Sequence, residues 1–533
     1  MRNVIKKHEY FIYGIVFLEI LLLTYFTYKY GVHHIDTDDS AEMVLAQFLN
    51  QKGALMSREW YYSTEIRVLN TQIVMAPLFS LFGSWAMVRT VGTGILLCIF
   101  AASYLLFCRQ AKIGKTAIWL APVLLWPFSL VYYDFVLFGL YYIPHLSIIF
   151  ICLGVFFSIT DSRENRLKRW MKMAILAVIS CLAGMGGLRL FVVFYVPLLA
   201  AVAMDVVFDE KSTWSGIKRD VHLLTVFMAA AAAGIGYVIN AKVLAKIFSF
   251  VNWGNISFTE LNFERLGRVI KDMIVTMGYR EGRGALSFSG LVNLLILLCC
   301  VLFIYIYAVI FKRFKGMEKE DRILILYSLL SLAATAAVCV FTNQNWSTRY
   351  LILPMINFII IWAIYIKMYG LKTFKFQVIT LCLACTMVLS GAIEYRGWMV
   401  DNKNSDKTEV LEFLRSEDYR FGFADWWGAD VLTELTDGRI HMCKITNWKD
   451  FSIWYWLMEK DYLKYAQSQK IFVLIENKKM DFSGDIGYLN GEWEREDLTY
   501  LDEALKVFDD GIYSVYMYEN LDVLGNLLHR KFE

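Results

Sequence analysis

The sequence predicts a polytopic α-helical membrane protein of about 11 transmembrane helices with a C-terminal extracytoplasmic α/β domain. Three observations predict that class. Of the 533 residues 57% are hydrophobic and only 19% charged, where soluble chains carry about 25% charged residues. Apolar runs close to the bilayer-spanning length recur as far as residue 394. The near-neutral total also hides a division. Residues 401–533 carry 16 Lys+Arg against 27 Asp+Glu, a net of −11 (16 − 27), which leaves +14 (37 − 23) for the rest. This composition excludes a soluble enzyme, a disordered chain and a protein that coats nucleic acid.

The spans are expected near 11–29, 86–107, 116–132, 141–160, 173–187, 190–207, 221–242, 287–311, 323–342, 350–367 and 377–394. With a cytoplasmic amino terminus every inside loop is basic: Arg109, Lys112 and Lys115; Arg163, Arg166, Lys168, Arg169 and Lys172; Lys211, Lys218 and Arg219; Lys312, Arg313, Lys315, Lys319 and Arg322; Lys367, Lys372 and Lys375. That is the positive-inside pattern of a multi-pass protein of the cell membrane. The first run is longer than a signal h-region, and no small-residue cleavage site precedes HHIDTDD, so it is expected to stay as a membrane helix. An odd number of crossings then divides the chain into a membrane domain, 1–394, with an extracytoplasmic loop at 30–85, and a soluble extracytoplasmic domain, 395–533. The loop from Lys242 to Leu286 breaks the charge rule with Lys246, Arg265, Arg268, Lys271, Arg280 and Arg283. Its stretch FTELNFERLGRVIKDMIVTMGY has helical amphipathy and reads as a surface helix over anionic headgroups, or as a solvated charged face.

The tail holds none of the prolines and a single cysteine, Cys443, so no disulfide framework can form there. The other cysteines lie in or beside apolar runs as small packing residues. Helical patterns (TEVLEFLRS, ADVLTEL, LDEALKVF, NLDVLGNLL) alternate with β-rich runs (YRFGFAD, RIHMCKI, KIFVLIE, GIYSVYMYE), which predicts an α/β domain with a largely parallel sheet.

The first outer loop concentrates acid. Asp36, Asp38 and Asp39 lie within one turn of the end of the first span. The helical pattern AEMVLAQFL follows, with Met43, Leu45, Ala46, Phe48 and Leu49 expected on the membrane interface, and LNTQIVMAPLFSLFG is expected to lie along the surface. Asp and Ser at a helix start are ordinary caps. A cap needs one carboxylate, so three in four residues point to a base, a metal site or both.

Several short motifs stand around this loop: Asp38-Asp39, Pro77-Leu78, Phe82-Gly83 and Arg89, and later RYLILPMINF with Arg349, Tyr350 and Pro354. In these the chain resembles the GT-C membrane glycosyltransferases, those like protein O-mannosyltransferases and the lipid A aminoarabinose transferase, which take a sugar from a polyprenyl-phosphate carrier. The resemblance covers about residues 1–394, mainly by topology. It departs where Asp39 stands for the family's Glu, Ala76-Pro77 for its paired prolines, and Arg189 for its Lys after the fifth span.

The resemblance implies an integral membrane glycosyltransferase moving a monosaccharide from a polyprenyl-phosphate carrier to a hydroxyl of an extracytoplasmic acceptor (surface polysaccharide, glycolipid or protein), with inversion. Such transfer needs a carboxylate to accept the acceptor's proton and cations for the departing phosphate. Asp38 aligns with the family's base, while Asp39 and Asp36 would orient the acceptor or hold a divalent cation. The metal is unknown; no cofactor is certain, and carboxylates leave room for Mg or Mn. For the carrier phosphate the candidates are Arg349, then Arg189, Arg67 and Arg89, since a planar guanidinium suits phosphate. Arg349 and Arg67 also read as interfacial snorkelling residues, whereas Arg189 interrupts the apolar LAGMGGLRLFVVF and marks function by default. Glu65, most simply the partner of Arg67, Asp134 and Tyr350 would border the substrate, and His145 reads as a loop residue with a local hydrogen bond. The tryptophans of WWGADV and NWKDFSIWYW read as core or membrane-facing, with stacking on sugar rings the other option. The partners are the lipid-linked sugar, the hydroxyl acceptor and the bilayer, without nucleic acid. A transporter or flippase of lipid-linked sugars is the alternative from another class, and would show internal repeats and midplane charges; a non-catalytic assembly protein for surface polysaccharide is the third.

The topology has a direct test. In intact cells, an impermeant thiol reagent should label Cys443 once mild denaturant loosens the tail; protection until the membrane is broken contradicts the eleven-span arrangement.

Overall fold

The computed structural model describes residues 2–113, 115–159, 165–208, 220–251, 256–344, 346–370, 374–467, 469–477 and 498–532. Of the inside-loop charges, Arg163, Lys211, Lys218, Arg219 and Lys372 lie outside the described residues. All the predicted spans fall on helical segments. Seven helices among the described residues are long and apolar enough to cross a membrane: Glu9–His33, Trp85–Gln110, Val221–Lys246, Phe288–Phe311, Lys319–Phe341, Thr348–Tyr369 and Phe374–Ser416, the last apolar in its first part. The predicted span at 116–132 is broken: Thr116–Leu125 and Leu130–Phe138 meet at 85°. The cause is Pro127, which forces the preceding Trp126 into an extended conformation (ψ 129°), after which Ser129 caps the next turn. Two further apolar helices, Ile143–Ile159 and Phe191–Val207, are shorter, and Arg166–Met185 opens on a basic turn. Hydropathy alone counted these as full spans.

The first helix, α1 (Arg2–Tyr30), leads through the turn Gly31–His33 into α2 (Thr37–Lys52). Asp36 is the N-cap of α2, its side chain accepting from the Asp39 backbone N–H at 3.0 Å, and Gly53 ends the helix in the left-handed conformation. Met43, Leu45, Ala46, Phe48 and Leu49 are buried inside the protein. The interface expected for them is therefore a protein interface: the helices Gln72–Leu78 and Trp426–Leu435 cover that face.

Among the described residues nine strands form two sheets. β1 (Trp60–Tyr62) of the first loop pairs with β2 (Ser249–Phe250) in parallel and with β6 (Met458–Glu459) of the tail in antiparallel fashion. The tail's own sheet has the order β5-β4-β3-β7-β9-β8, from β3 (Phe421–Asp425), β4 (His441–Asn447), β5 (Ser452–Ile453), β7 (Ile471–Glu476), β8 (Leu505–Asp509) and β9 (Tyr513–Tyr518). It is mixed and not largely parallel: only β3–β4 and β3–β7 run parallel. β5 and β9 run antiparallel to β4 and β7, and LDEALKVF is a further source of the difference. It contributes β8, a strand closed onto β9 by the tight turn at Asp510 and Gly511, where a hairpin is the only connection short enough. The helix Phe374–Val400 runs without interruption past residue 394.

The tail is locked to the membrane domain by buried polar contacts. Arg89, in helix Trp85–Gln110, donates from Nε and Nη2 to the two carboxylate oxygens of Glu434 at 2.8 and 2.7 Å, with both side chains buried. Trp85 N–H donates to Asp437 at 2.7 Å, and Asn404 Nδ2 donates to the carbonyls of Val32 and Ile35, each at 3.1 Å. His34 stacks on Trp398 with ring centroids 3.8 Å apart.

A buried pair broken on one side leaves an uncompensated charge. Arg89→Met alone is expected to cost about 3–5 kcal/mol and to make the tail protease-sensitive in native membranes, while Arg89→Met with Glu434→Met recovers much of the loss. Equal protease resistance of the single variant and the parent contradicts the interdomain role.

Candidate active site

Between the loops at 30–85 and 242–286, the helices and the tail lies a cavity of about 2950 Å³. Its charged lining includes Asp36, Asp38, Glu65, Arg67, Arg189 and Arg349. The chain brings these together from four distant segments. Asp38 is in the first turn of α2, where the Asp36 cap fixes it. Arg67 follows β1, and Arg189 follows the turn that ends helix Arg166–Met185. Arg349 sits in the short turn Thr348–Leu351 ahead of a span.

Asn240 sets the relation between two of these segments. It lies buried in a π-helical turn, Ile239–Val243, and its side-chain amide donates to the carbonyls of Ile66 at 3.0 Å and Met185 at 2.6 Å. Arg67 and Arg189 are thereby drawn to the same wall. Gly187 completes the arrangement. Its φ is +87°, and a Cβ there would stand 3.1 Å from the Glu65 Cδ, so only glycine combines that backbone with that approach.

The three guanidinium groups surround one aromatic ring. Arg67, Arg189 and Arg349 lie 4.7, 5.5 and 5.9 Å from the centroid of Tyr141. Arg189 is also held by Tyr142 at 5.2 Å and Tyr350 at 5.3 Å, and Arg349 by Phe135 at 5.0 Å. Cation–π contact steadies these side chains without consuming their N–H donors. Glu65 accepts from Arg67 Nε and Nη2, each at 3.2 Å, and Asp38 accepts from Arg349 Nη1. Among the described residues no carboxylate pairs with Arg189, and Arg189 Nη1 and Arg349 Nε are buried without a hydrogen-bond partner. Buried donors of that kind call for an acceptor. Two such guanidinium donors in one cavity suit an anion.

Of the other predicted residues, Tyr350 alone lines the cavity. Asp39 is buried (7% exposed) outside the cavity lining, against Gly139; burial and then the charge of Asp36 push its carboxyl well above the ordinary value. It faces the protein interior and not the substrate. Arg89, nominated for phosphate, is 3% exposed and spent on Glu434 and on the Asp39 carbonyl. Asp134 does not line the cavity and faces Lys403 at 3.6 Å. Tyr350 lines it and braces Arg189. His145 is not in a loop: it opens helix Ile143–Ile159, buried beside Tyr141 and Tyr142, with Nδ1 unpartnered.

The three aspartates are parted into a cap, an ion pair and a buried carboxyl, and among the described residues no three His, Cys, Asp or Glu side chains converge as metal ligands do. The residues present do not fit a divalent cation. Tyr141, Asn240 and Glu42 were not singled out from sequence. Glu42 is lodged in the cavity wall, accepting from Asn70, Thr71 and Gln72. Of these, only Asn240 carried a signal, as an amide inside the apolar run GYVINAKVL.

No protein-family model matches the chain, and no curated protein matches it. Among solved structures, the crystal structure of the Archaeoglobus fulgidus oligosaccharyltransferase in complex with Zn and sulfate is similar with a TM-score of 0.43 and 11% identity, over 86% of this chain and 68% of that one.

Gly187→Ala should disturb the arginine cluster from its backbone. The left-handed conformation costs a non-glycine residue about 1–3 kcal/mol, so the variant should lose that much stability and melt at a lower temperature. An unchanged melting temperature in detergent contradicts the strained turn.

Proposed function

We propose that the chain is a membrane glycosyltransferase that moves a monosaccharide from a polyprenyl-phosphate carrier to a hydroxyl of an extracytoplasmic acceptor, with inversion. The observation that carries this reading is one cavity lined both by Asp38, paired with Arg349, and by the three arginines gathered on Tyr141. It is also the chemistry of the GT-C enzymes that the sequence resembles.

In the reaction the acceptor O–H gives its proton to Asp38 while its oxygen attacks the anomeric carbon. The bond from that carbon to the carrier phosphate breaks, and its electron pair goes to the phosphate oxygen. Charge therefore grows on the phosphate, where Arg189 Nη1 and Arg349 Nε have donors to spare. Glu65 cancels part of the charge of Arg67, which leaves Arg189 the strongest attraction for the anion.

Asp38 accepts a hydrogen bond from Arg349, so the base and the carrier phosphate would share one guanidinium, which sets the acceptor hydroxyl beside the departing phosphate.

Asp38→Asn keeps the shape and removes the base, and should lower transfer of labelled sugar in membranes by about 10² to 10⁴. Arg349→Lys keeps charge but loses the fork, and should weaken use of the lipid donor at normal protein levels. Near-parental turnover in Asp38→Asn assigns the base elsewhere; activity in Asp38→Asn, Arg349→Ala and Arg189→Ala together defeats the transferase reading.

A further inference from the structure

One wall of the cavity is unlike the rest. Trp426, Trp427, Trp454 and Trp456, all from the tail, line it. Trp426 lies 4.7 Å from both Trp454 and Trp456, and Trp454 stacks on Trp456 at 5.0 Å. Trp426 and Trp454 are buried, 4% and 7% exposed, and pack on Ala41 of α2. Trp427 and Trp456 are half-buried and complete the wall.

The cluster is built, not incidental. Asp425 caps helix Trp426–Leu435 by accepting from Gly428 N–H at 2.8 Å, which fixes the two leading tryptophans. Lys444, 1% exposed, lies beneath them. Its ammonium pairs with Asp430 at 2.5 Å, donates to the carbonyls of Leu457 at 2.8 Å and Trp456 at 3.4 Å, and lies 4.6 Å from the ring of Trp426. A cation buried at such cost holds the loop after β5 against the helix after β3.

The cluster also lies beside the base. Thr37, the residue before Asp38, donates to the Trp427 carbonyl at 3.0 Å, and Ala41 is one turn further along α2. Asn402 and Lys403 add polar groups to the same lining. Broad indole faces with a polar margin suit the alternating C–H faces and equatorial hydroxyls of a pyranose ring.

We infer that the tail's tryptophan wall is the acceptor site and that the acceptor is a saccharide, stacked on Trp427 and Trp456 with its hydroxyl presented to Asp38. The inference rests on the transfer reading for the identity of the ligand as acceptor, but not for its binding. Lys444 is a positioning residue of that wall, acting through Trp426 and the Trp456 loop.

The test uses the full chain in detergent micelles. Saturation-transfer NMR is recorded with mannotriose, chitotriose and cellotriose, and with a serine-containing hexapeptide as the rival class. At least one trisaccharide should give a signal that weakens on the order of tenfold in affinity in Trp427→Ala and in Trp456→Ala, the worth of one aromatic stacking partner. Trp427→Phe and Trp456→Phe, which keep a ring, should retain most of the binding, and Lys444→Met should lose it with an unchanged melting profile of the membrane domain. Asp38→Asn should bind the trisaccharide like the parent, so failure of the base assignment leaves this result standing. Absence of signal from every trisaccharide, a signal unmoved by both alanine variants, or binding of the peptide alone overturns the acceptor assignment while leaving the transferase reading intact.

Discussion

Three guanidinium groups around one tyrosine ring repel one another, and much of the architecture serves to keep them there. Two are partly neutralised, Arg67 by Glu65 and Arg349 by Asp38, while Arg189 has aromatic faces in place of a carboxylate. Asn240 supplies the remaining restraint by joining the backbone near Arg67 to the backbone near Arg189. A cluster with one uncompensated charge is costly in an enclosed space and is at rest only when an anion joins it.

The second requirement is that something close the other side of the cavity, and the tail does so through contacts of two kinds. The Arg89–Glu434 pair fixes its position, since two buried charges tolerate little displacement. The tryptophan cluster supplies surface, since apolar area is indifferent to small shifts. One contact sets the distance and the other sets the chemistry. Both meet α2, so the helix that presents Asp38 is clamped between the membrane domain and the tail.

How much of this was legible in the sequence depends on the kind of signal each residue leaves. Span positions follow from apolar length, which a bilayer imposes, and so they were readable; the break at Pro127 was not, because hydropathy does not register a bend. Asp38, Arg67, Arg189 and Arg349 were readable as charges beside apolar runs. Arg89 left the same signal and proved to be half of a buried pair, because sequence shows a charge but not its partner. The apolar face of α2 was visible, while much of the surface covering it, helix Trp426–Leu435, comes from residues hundreds of positions away. LDEALKVF has a helical pattern and forms a strand because β9 is its immediate neighbour in space. Tyr141 was invisible for a simpler reason: one tyrosine among 31 carries no mark.

The small sheet β2-β1-β6 joins residues near 60, near 250 and near 458. During synthesis the first two leave the ribosome well before the third. Every helix before residue 401 has then been made while the cavity still lacks its tryptophan wall and Arg89 still lacks Glu434. The nascent protein therefore holds its cationic cluster open until its final quarter has folded. Completion of the site is a late event in biogenesis, gated by folding of the tail and not by formation of the helices that precede it.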